Sequence, residues 1–271
     1  LQDLNPAQQE AVEAYQGPVM IIAGAGSGKT RALTYRVAYL LSQGVRPHEI
    51  LALTFTNKAA NEMKGRIVNL VGPESDEVWM GTFHSMFARI LRFEAEKIGF
   101  GRNFTIYDTD DSLSLIKNLM GSLGLSRQQF SPHAIRSRIS LAKNQMAGPK
   151  EYGRAAADLF EEKTAQLYEE YDKKLRANNA MDFDDLLIKP IELFERHSKT
   201  LEKYQLRFKY ILVDEYQDTN RAQYVLIKKL AERNRNLCVV GDDAQSIYAF
   251  RGADIRNILD FETDYPGCKI F

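Results

Sequence analysis

Lys29 and Thr30, directly behind Gly24, Ala25, Gly26, Ser27 and Gly28, have the plainest chemical use in this 271-residue sequence. A glycine-rich turn lets backbone N–H groups converge on an anion, and a helix start behind it adds unpaired donors and the positive end of its dipole. In that setting Lys29 reaches the β- and γ-phosphates of a nucleotide, and the Thr30 hydroxyl holds Mg²⁺. Farther along, Asp214 and Glu215 end an apolar run. A carboxylate delivered at the end of a strand beside a phosphate loop serves the metal side, which assigns Asp214, and Glu215 is aimed at the attacking water as general base or orienter. Gln245, in GDDAQS, is an uncharged group suited to the γ-phosphate or the lytic water. Tyr248, Phe250 and Arg251 follow as aromatic, aromatic, cation, a set that stacks on unpaired bases of any sequence and holds their backbone.

These residues need a scaffold that brings them together. Val19 to Ala23 reads as a buried strand, and Leu33, Val37, Leu40 and Leu41 recur at helical spacing behind the glycines. Asn5 and Pro6 read as cap and first residue of an opening helix. Strands are expected at 48–56, 78–83, 210–213, 237–240 and from 269, with helices at 57–71, 84–97, 182–194, 220–233 and near 255–261. Strands alternating with helices predict a parallel α/β sheet covered on both faces. Between 109 and 180 no strand is expected; helices at 112–123, 132–144 and 155–177 read as an insertion. Within it, 127–154 carries Arg127, Arg136, Arg138, Lys143, Lys150 and Arg154 against Glu151, which reads as a phosphate-backbone contact surface. The mixed charges of 161–174 read as a solvated helix face.

Hydrophobic content of 44% and charged content of 27% are those of a soluble globular protein. The formal charge is zero, so any nucleic-acid contact must rest on local patches. Cys238 and Cys268 have no metal-ligand spacing and read as reduced thiols. No apolar run approaches membrane-spanning length and no signal-peptide pattern opens the chain, so a soluble, cytoplasmic protein without membrane contact is expected.

In LNPAQQEAV (4–12), AGAGSGKT (23–30), LALTFTNKAANEM (51–63), GTFHSMFARIL (81–91), MDFDDLL (181–187), ILVDEYQDTNRAQ (211–223) and VVGDDAQSIYAFRGAD (239–254), taken in order, the chain resembles the UvrD/PcrA/Rep family of superfamily 1 DNA helicases. The resemblance implies an α/β fold, a RecA-like P-loop NTPase domain formed by 1–106 and 183–271 with an inserted all-helical subdomain at 107–182. It also implies ATP hydrolysis with Mg²⁺ and 3′ to 5′ movement along single-stranded DNA, with single-strand/duplex junctions as substrates and repair or replication loading proteins as partners. Gln8 matches the family's adenine-reading glutamine, and Arg31 a further nucleotide contact. Lys29, Thr30, Asp214, Glu215 and Gln245 match the family's phosphate, metal, base and γ-phosphate positions. Phe55, Phe183, Tyr248, Phe250 and Arg251 match its base pockets; Thr56, Asn57, Thr82, His84 and Ser85 match its backbone-contacting motifs. Two departures stand out: Ala23 occupies the first glycine position of the phosphate loop, and Phe250 replaces the usual Trp with a smaller ring that lacks the indole N–H.

The family couples two RecA-like domains with ATP between them, and the motifs of the second are not found here. The chain is therefore expected to be an N-terminal portion, partnered by its own C-terminal RecA-like domain, that alone hydrolyses ATP very slowly and does not unwind DNA. Two other classes share parts of this pattern: a helicase–nuclease subunit, and a nucleotide-gated binding module without motor activity. A small-molecule kinase is disfavoured, because nothing resembles an acceptor pocket.

Overall fold

The computed structural model describes residues 3–24, 26, 28–242 and 260–271. They divide into two compact units, 1–86 with 197–271, and 87–196. The second unit reaches beyond the 107–182 insertion expected from sequence at both ends.

In the first unit, six parallel strands form one sheet: β1 (Val19–Ile22), β2 (Ile50–Thr54), β3 (Trp79–Thr82), β6 (Tyr210–Val213), β7 (Leu237–Gly241) and β8 (Lys269–Ile270). β4 and β5 belong to the second unit. The order is β3-β2-β6-β7-β1-β8. Every residue of β2 and β7 is buried, as expected of parallel strands covered on both faces. One face presents Val19, Ile21, Ile50, Ala52, Leu212 and Val240 to a core completed by helices α1 (Pro6–Glu13), α2 (Lys29–Ser42) and α3 (Asn57–Val71). The alternate positions Met20, Leu51, Leu53, Ile211 and Val213 are buried as well.

The helices begin where their caps dictate. In α1 the Asn5 side chain accepts from the Gln8 N–H at 2.9 Å while Gln8 Oε1 accepts from the Asn5 N–H at 3.1 Å, a reciprocal capping box with Pro6 at the first turn. Thr56 caps α3 by accepting from the Ala59 N–H at 3.1 Å, and Ala60, Met63 and Ile67 then bury one stripe, each large side chain contributing about 1.5–3 kcal/mol.

The second unit packs helices α5 (Thr109–Ser122), α6 (Pro132–Asn144) and α8 (Leu159–Ala177) around Ile116, Met120, Ile135, Ile139, Leu167 and Tyr171. The division between the units falls inside α4 (Phe83–Glu94). Strand-free as expected through most of its length, the helical run is closed at its two ends by a parallel pair not singled out from sequence, β4 (Thr105–Tyr107) with β5 (Ala180–Asp182). The expected 155–177 helix is α8, which starts at Leu159 because Asp158 caps it by accepting from the Glu161 N–H at 2.8 Å; the preceding α7 (Pro149–Ala155) was not expected from sequence. Helices α9 (Asp185–Arg196), α10 (Ser198–Arg207) and α11 (Arg221–Ala231) complete the longer helical elements among the described residues.

Candidate active site

All strands of the large sheet run parallel, so their C-terminal ends share one edge, the edge at which ligands bind in open α/β sheets. At β1 the chain leaves the sheet through Ala23 and Gly24 and enters α2 at Lys29. Gly26 and Gly28 have φ of +79° and +84°, in the left-handed region where a side chain is strained. At Gly28 a Cβ would also stand 2.9 Å from Gln8 Nε2, so glycine both makes the turn and admits the Gln8 amide. Among the described residues no side-chain hydrogen bond caps the start of α2, and its first backbone N–H groups suit an anion.

Thr30 Oγ1 donates to Asp214 Oδ2 at 3.1 Å, joining the first turn of α2 to the end of β6. Asp214 is seated by its own N–H, which donates to the Leu53 carbonyl at 3.0 Å, and its Oδ1 accepts from the Glu215 N–H at 2.9 Å. Burial first, and the neighbouring Glu215 carboxylate second, raise the Asp214 carboxyl above its ordinary value. A divalent cation relieves that penalty directly. A hydroxyl and a carboxylate side by side are hard oxygen donors of the kind Mg²⁺ takes, which binds through one or two protein oxygens and keeps waters and substrate phosphates for the rest. The residues present therefore fit both a triphosphate and its metal. Among the described residues no cluster of three or more His, Cys, Asp or Glu side chains forms a metal cage.

Lys29 is buried, and its Nζ pairs with Asp242 Oδ2 at 3.1 Å. Asp242, at the end of β7 and 1% exposed, had no role assigned from sequence; without a fold it reads as one more acid in a loop. Gln217 was also missed. It is buried in the turn after Glu215, where its Nε2 donates to Glu215 Oε2 at 2.5 Å and its Oε1 accepts from the Asp242 N–H at 3.1 Å. One amide thus ties the candidate base to the strand that holds the lysine's partner. Glu215 itself has φ 48° and ψ 47°, a left-handed conformation that a non-glycine residue holds at a cost of order 1–3 kcal/mol.

Across the same edge lie the residues expected to face nucleic acid. Thr54 and Thr82 pair in register at the ends of β2 and β3. Beyond Thr54, Phe55 is half-buried with its ring 5.3 Å from that of Phe83, and Thr56 and Asn57 are exposed at the start of α3. Thr82 Oγ1 donates to Ser85 Oγ and accepts from the Ser85 N–H, each at 3.1 Å. A Cβ on Gly81 would come 2.6 Å from Ser85 Oγ, so glycine lets α4 fold closely onto the strand end. Burial lowers the His84 imidazole below its usual value and favours the neutral ring. Arg31 is exposed on α2, its guanidinium 5.8 Å from the Tyr35 ring. Ala25, Ser27, Gln245, Tyr248, Phe250 and Arg251 lie outside the described residues.

Phe183 belongs to the second unit, 49% exposed in the turn from β5 to α9. Its flanks are fixed by charge. Asp182 and Asp185 cap each other's backbone N–H groups at 3.2 and 2.8 Å, and Lys143 Nζ lies 3.0 Å from a carboxylate oxygen of each and 3.3 Å from Asp172. Lys143 was counted in the basic surface run 127–154; with 3% exposure it is instead the counter-ion of a buried acidic cluster. Arg127, Arg138, Lys150 and Arg154 do stand on the surface. Cys238 is buried, Cys268 is partly so, and both are free thiols. Among the described residues no helix is long and apolar enough to cross a membrane.

A glycine turn between a buried strand and an uncapped helix, with hydroxyl and carboxylate at its foot, defines a phosphate-loop α/β domain. The chain belongs to the UvrD/REP helicase N-terminal domain family, whose model matches residues 4–266. It is 53% identical over 271 residues to the ATP-dependent DNA helicase PcrA of Bacillus subtilis, covering 100% of this chain and 37% of that protein. Proteins of the same name from Staphylococcus epidermidis and Staphylococcus aureus are 53% and 52% identical over 270 and 267 residues, again covering 37% of each. The chain thus spans little more than a third of the length of these relatives.

Proposed function

We propose that this chain is the ATP-binding portion of a 3′–5′ DNA helicase, coupling ATP hydrolysis to movement along single-stranded DNA and to unwinding at single-strand/duplex junctions. The observation that carries this reading is the shared strand edge, where the Lys29–Thr30–Asp214–Glu215 cluster ends β1 and β6 while Phe55, Thr56, Asn57 and Thr82 end β2 and β3 of the same sheet. A rigid sheet offers a direct mechanical link between a hydrolysed phosphate and a nucleic-acid grip. The relatives' printed name supports ATP and DNA as substrates, and the polarity is what the resemblance to the UvrD/PcrA/Rep family implies.

In this reading Gln8 and Arg31 contact the nucleoside, and Gly24, Ala25, Gly26, Ser27, Gly28 and Lys29 hold the phosphates. Thr30 and Asp214 are the residues that would hold Mg²⁺, which screens phosphate charge when bound. Glu215, steered by Gln217, takes the proton of the attacking water, and Gln245 senses the γ-phosphate. Phe183, Tyr248, Phe250 and Arg251 stack on or hold single-stranded DNA, while His84 and Ser85 touch its backbone. Unwinding belongs to the protein at its full natural length, with a second RecA-like domain and loading proteins of repair or replication as partners, in the cytoplasm. The 271-residue chain alone binds nucleotide and turns it over slowly, since a cation supplied across such a cleft contributes roughly 10³–10⁵ in rate.

The test is ATPase activity of the full-length protein with and without single-stranded DNA. Lys29→Ala is expected to abolish turnover, and Tyr248→Ala to abolish DNA stimulation while basal turnover persists. Turnover indifferent to DNA in the unmodified protein would overturn the reading.

A further inference from the structure

Arg36 lies in the middle of α2 with 2% of its surface exposed. A guanidinium stays charged inside a protein, so its burial demands acceptors. Two backbone carbonyls supply them: Nη1 donates to Ala11 at 2.6 Å and Nη2 to Ala14 at 2.9 Å. Both belong to the C-terminal turn of α1 and its cap, where carbonyls have no helical partner and the helix dipole is negative. The residue before it, Tyr35, donates its hydroxyl to Asp3 Oδ2 at 2.9 Å, just ahead of α1. Adjacent residues of α2 therefore hold α1 at both of its ends. α2 begins at Lys29, and α1 carries Gln8 with its Oε1 engaged by the Asn5 N–H and its Nε2 against Gly28.

The geometry points to Arg36 as a positioning residue for base selection: by gripping the last carbonyls of α1 it sets the distance between the Gln8 amide and the phosphate loop, so that base and phosphates of an adenine nucleotide are read together. This rests on the proposed role of Gln8. An amide donates and accepts at once, which matches the N6 donor and N7 acceptor of adenine and mismatches the O6 and N7 acceptors of guanine. That discrimination needs a fixed amide, because a helix free to shift by about an ångström would let the side chain accommodate either base.

The experiment is competition of unlabelled ATP and GTP against methylanthraniloyl-ADP on the full-length protein, with Gln8→Ala, Arg36→Met, Arg36→Lys and the double variant Gln8→Ala/Arg36→Met. Loss of the Gln8 amide is expected to lower the ATP:GTP affinity ratio roughly three- to tenfold, the worth of one or two hydrogen bonds. Arg36→Met is expected to lower the ratio by a similar factor with GTP affinity held within about twofold, and Arg36→Lys, which keeps the charge and one contact, by less. The double variant should fall no lower than either single one. If Gln8→Ala lowers the ratio and neither Arg36 variant does, the inference is overturned while the role of Gln8 stands. If Gln8→Ala leaves the ratio unchanged, the role of Gln8 fails and the inference falls with it. An equal fall in ATP and GTP affinity on replacing Arg36 would make it a general support of the loop and also overturns the inference. Should Arg36→Met not fold, Arg36→Lys decides, and a wild-type ratio or loss of folding in that variant overturns the inference.

Discussion

Replacing Lys143 with methionine keeps the stem and removes the ammonium from a cavity where Asp182 and Asp185 each stand 3.0 Å away. The wild-type cluster is finely divided. Despite its burial, Asp182 is held below the usual carboxylate value by Lys143 and by the Asp185 N–H, while Lys143 is itself held well above its own. Asp185 shifts the opposite way, pushed up to about 7 by burial and by the Asp182 charge, which together outweigh the same ammonium. A raised carboxyl contributes stability at low pH and loses it as pH rises from about 4 towards 7; a depressed one contributes above its unfolded value and loses it as pH falls through its folded value. Without the ammonium, Asp182 joins the raised class. Breaking a buried pair costs about 3–5 kcal/mol, and that loss belongs to pH 8. One additional proton bound by the folded variant recovers up to about 1.4 kcal/mol per pH unit on acidification, so the loss at pH 5 should be smaller than at pH 8, by at most about 4 kcal/mol. Urea unfolding of the 271-residue chain, followed by far-UV circular dichroism at pH 5 and 8, measures the difference. An equal loss at the two pH values, or none, would refute the electrostatic argument.

Three further outcomes are expected around the phosphate loop. Lys29→Met should abolish nucleotide binding and also cost about 3 kcal/mol of stability by removing the ammonium that pairs with the buried Asp242 carboxylate; Lys29→Met/Asp242→Asn should regain the melting temperature without regaining the nucleotide, and a double variant as unstable as the single one would count against the ion pair. Gln217→Leu, which releases the Glu215 carboxylate and removes the side-chain acceptor of the Asp242 N–H, should lower kcat about 10²-fold at unchanged KM in a steady-state ATPase assay. Glu215→Gly should raise stability by about 1 kcal/mol through relief of the left-handed backbone while eliminating hydrolysis, and calorimetry showing a lower melting temperature would remove the strain argument.

The elements that could be read from sequence were those whose limits are written locally. α3 and α6 span the expected 57–71 and 132–144 because Thr56 and Ser131 cap them and apolar residues recur on one face. β6 is the expected 210–213, an unbroken apolar run before two acids. Lys29, Thr30 and Asp214 were legible for the same reason: strand, turn and helix start adjoin in the chain, and the acid ends a strand. β4 and β5 were not, because three residues carry too little periodicity to separate a strand from a loop. Neither was the fate of Lys143, since nothing near it in sequence announces Asp172, Asp182 and Asp185. Asp242 and Gln217 escaped notice because their partners, Lys29 and Glu215, meet them only once β1, β6 and β7 are side by side.

The strand order also governs how this domain can be made. β1 and β2 are synthesised early, yet they never touch; the two places between them are filled by β6 and β7, which leave the ribosome only after the whole of the 87–196 unit. Until then a nascent chain holds β1 with both edges bare and β2 paired to β3 alone. Such open, apolar edges invite pairing with neighbouring polypeptides. Early pairing of β4 with β5 would shorten the wait by closing the chain between 105 and 182 before β6 and β7 emerge.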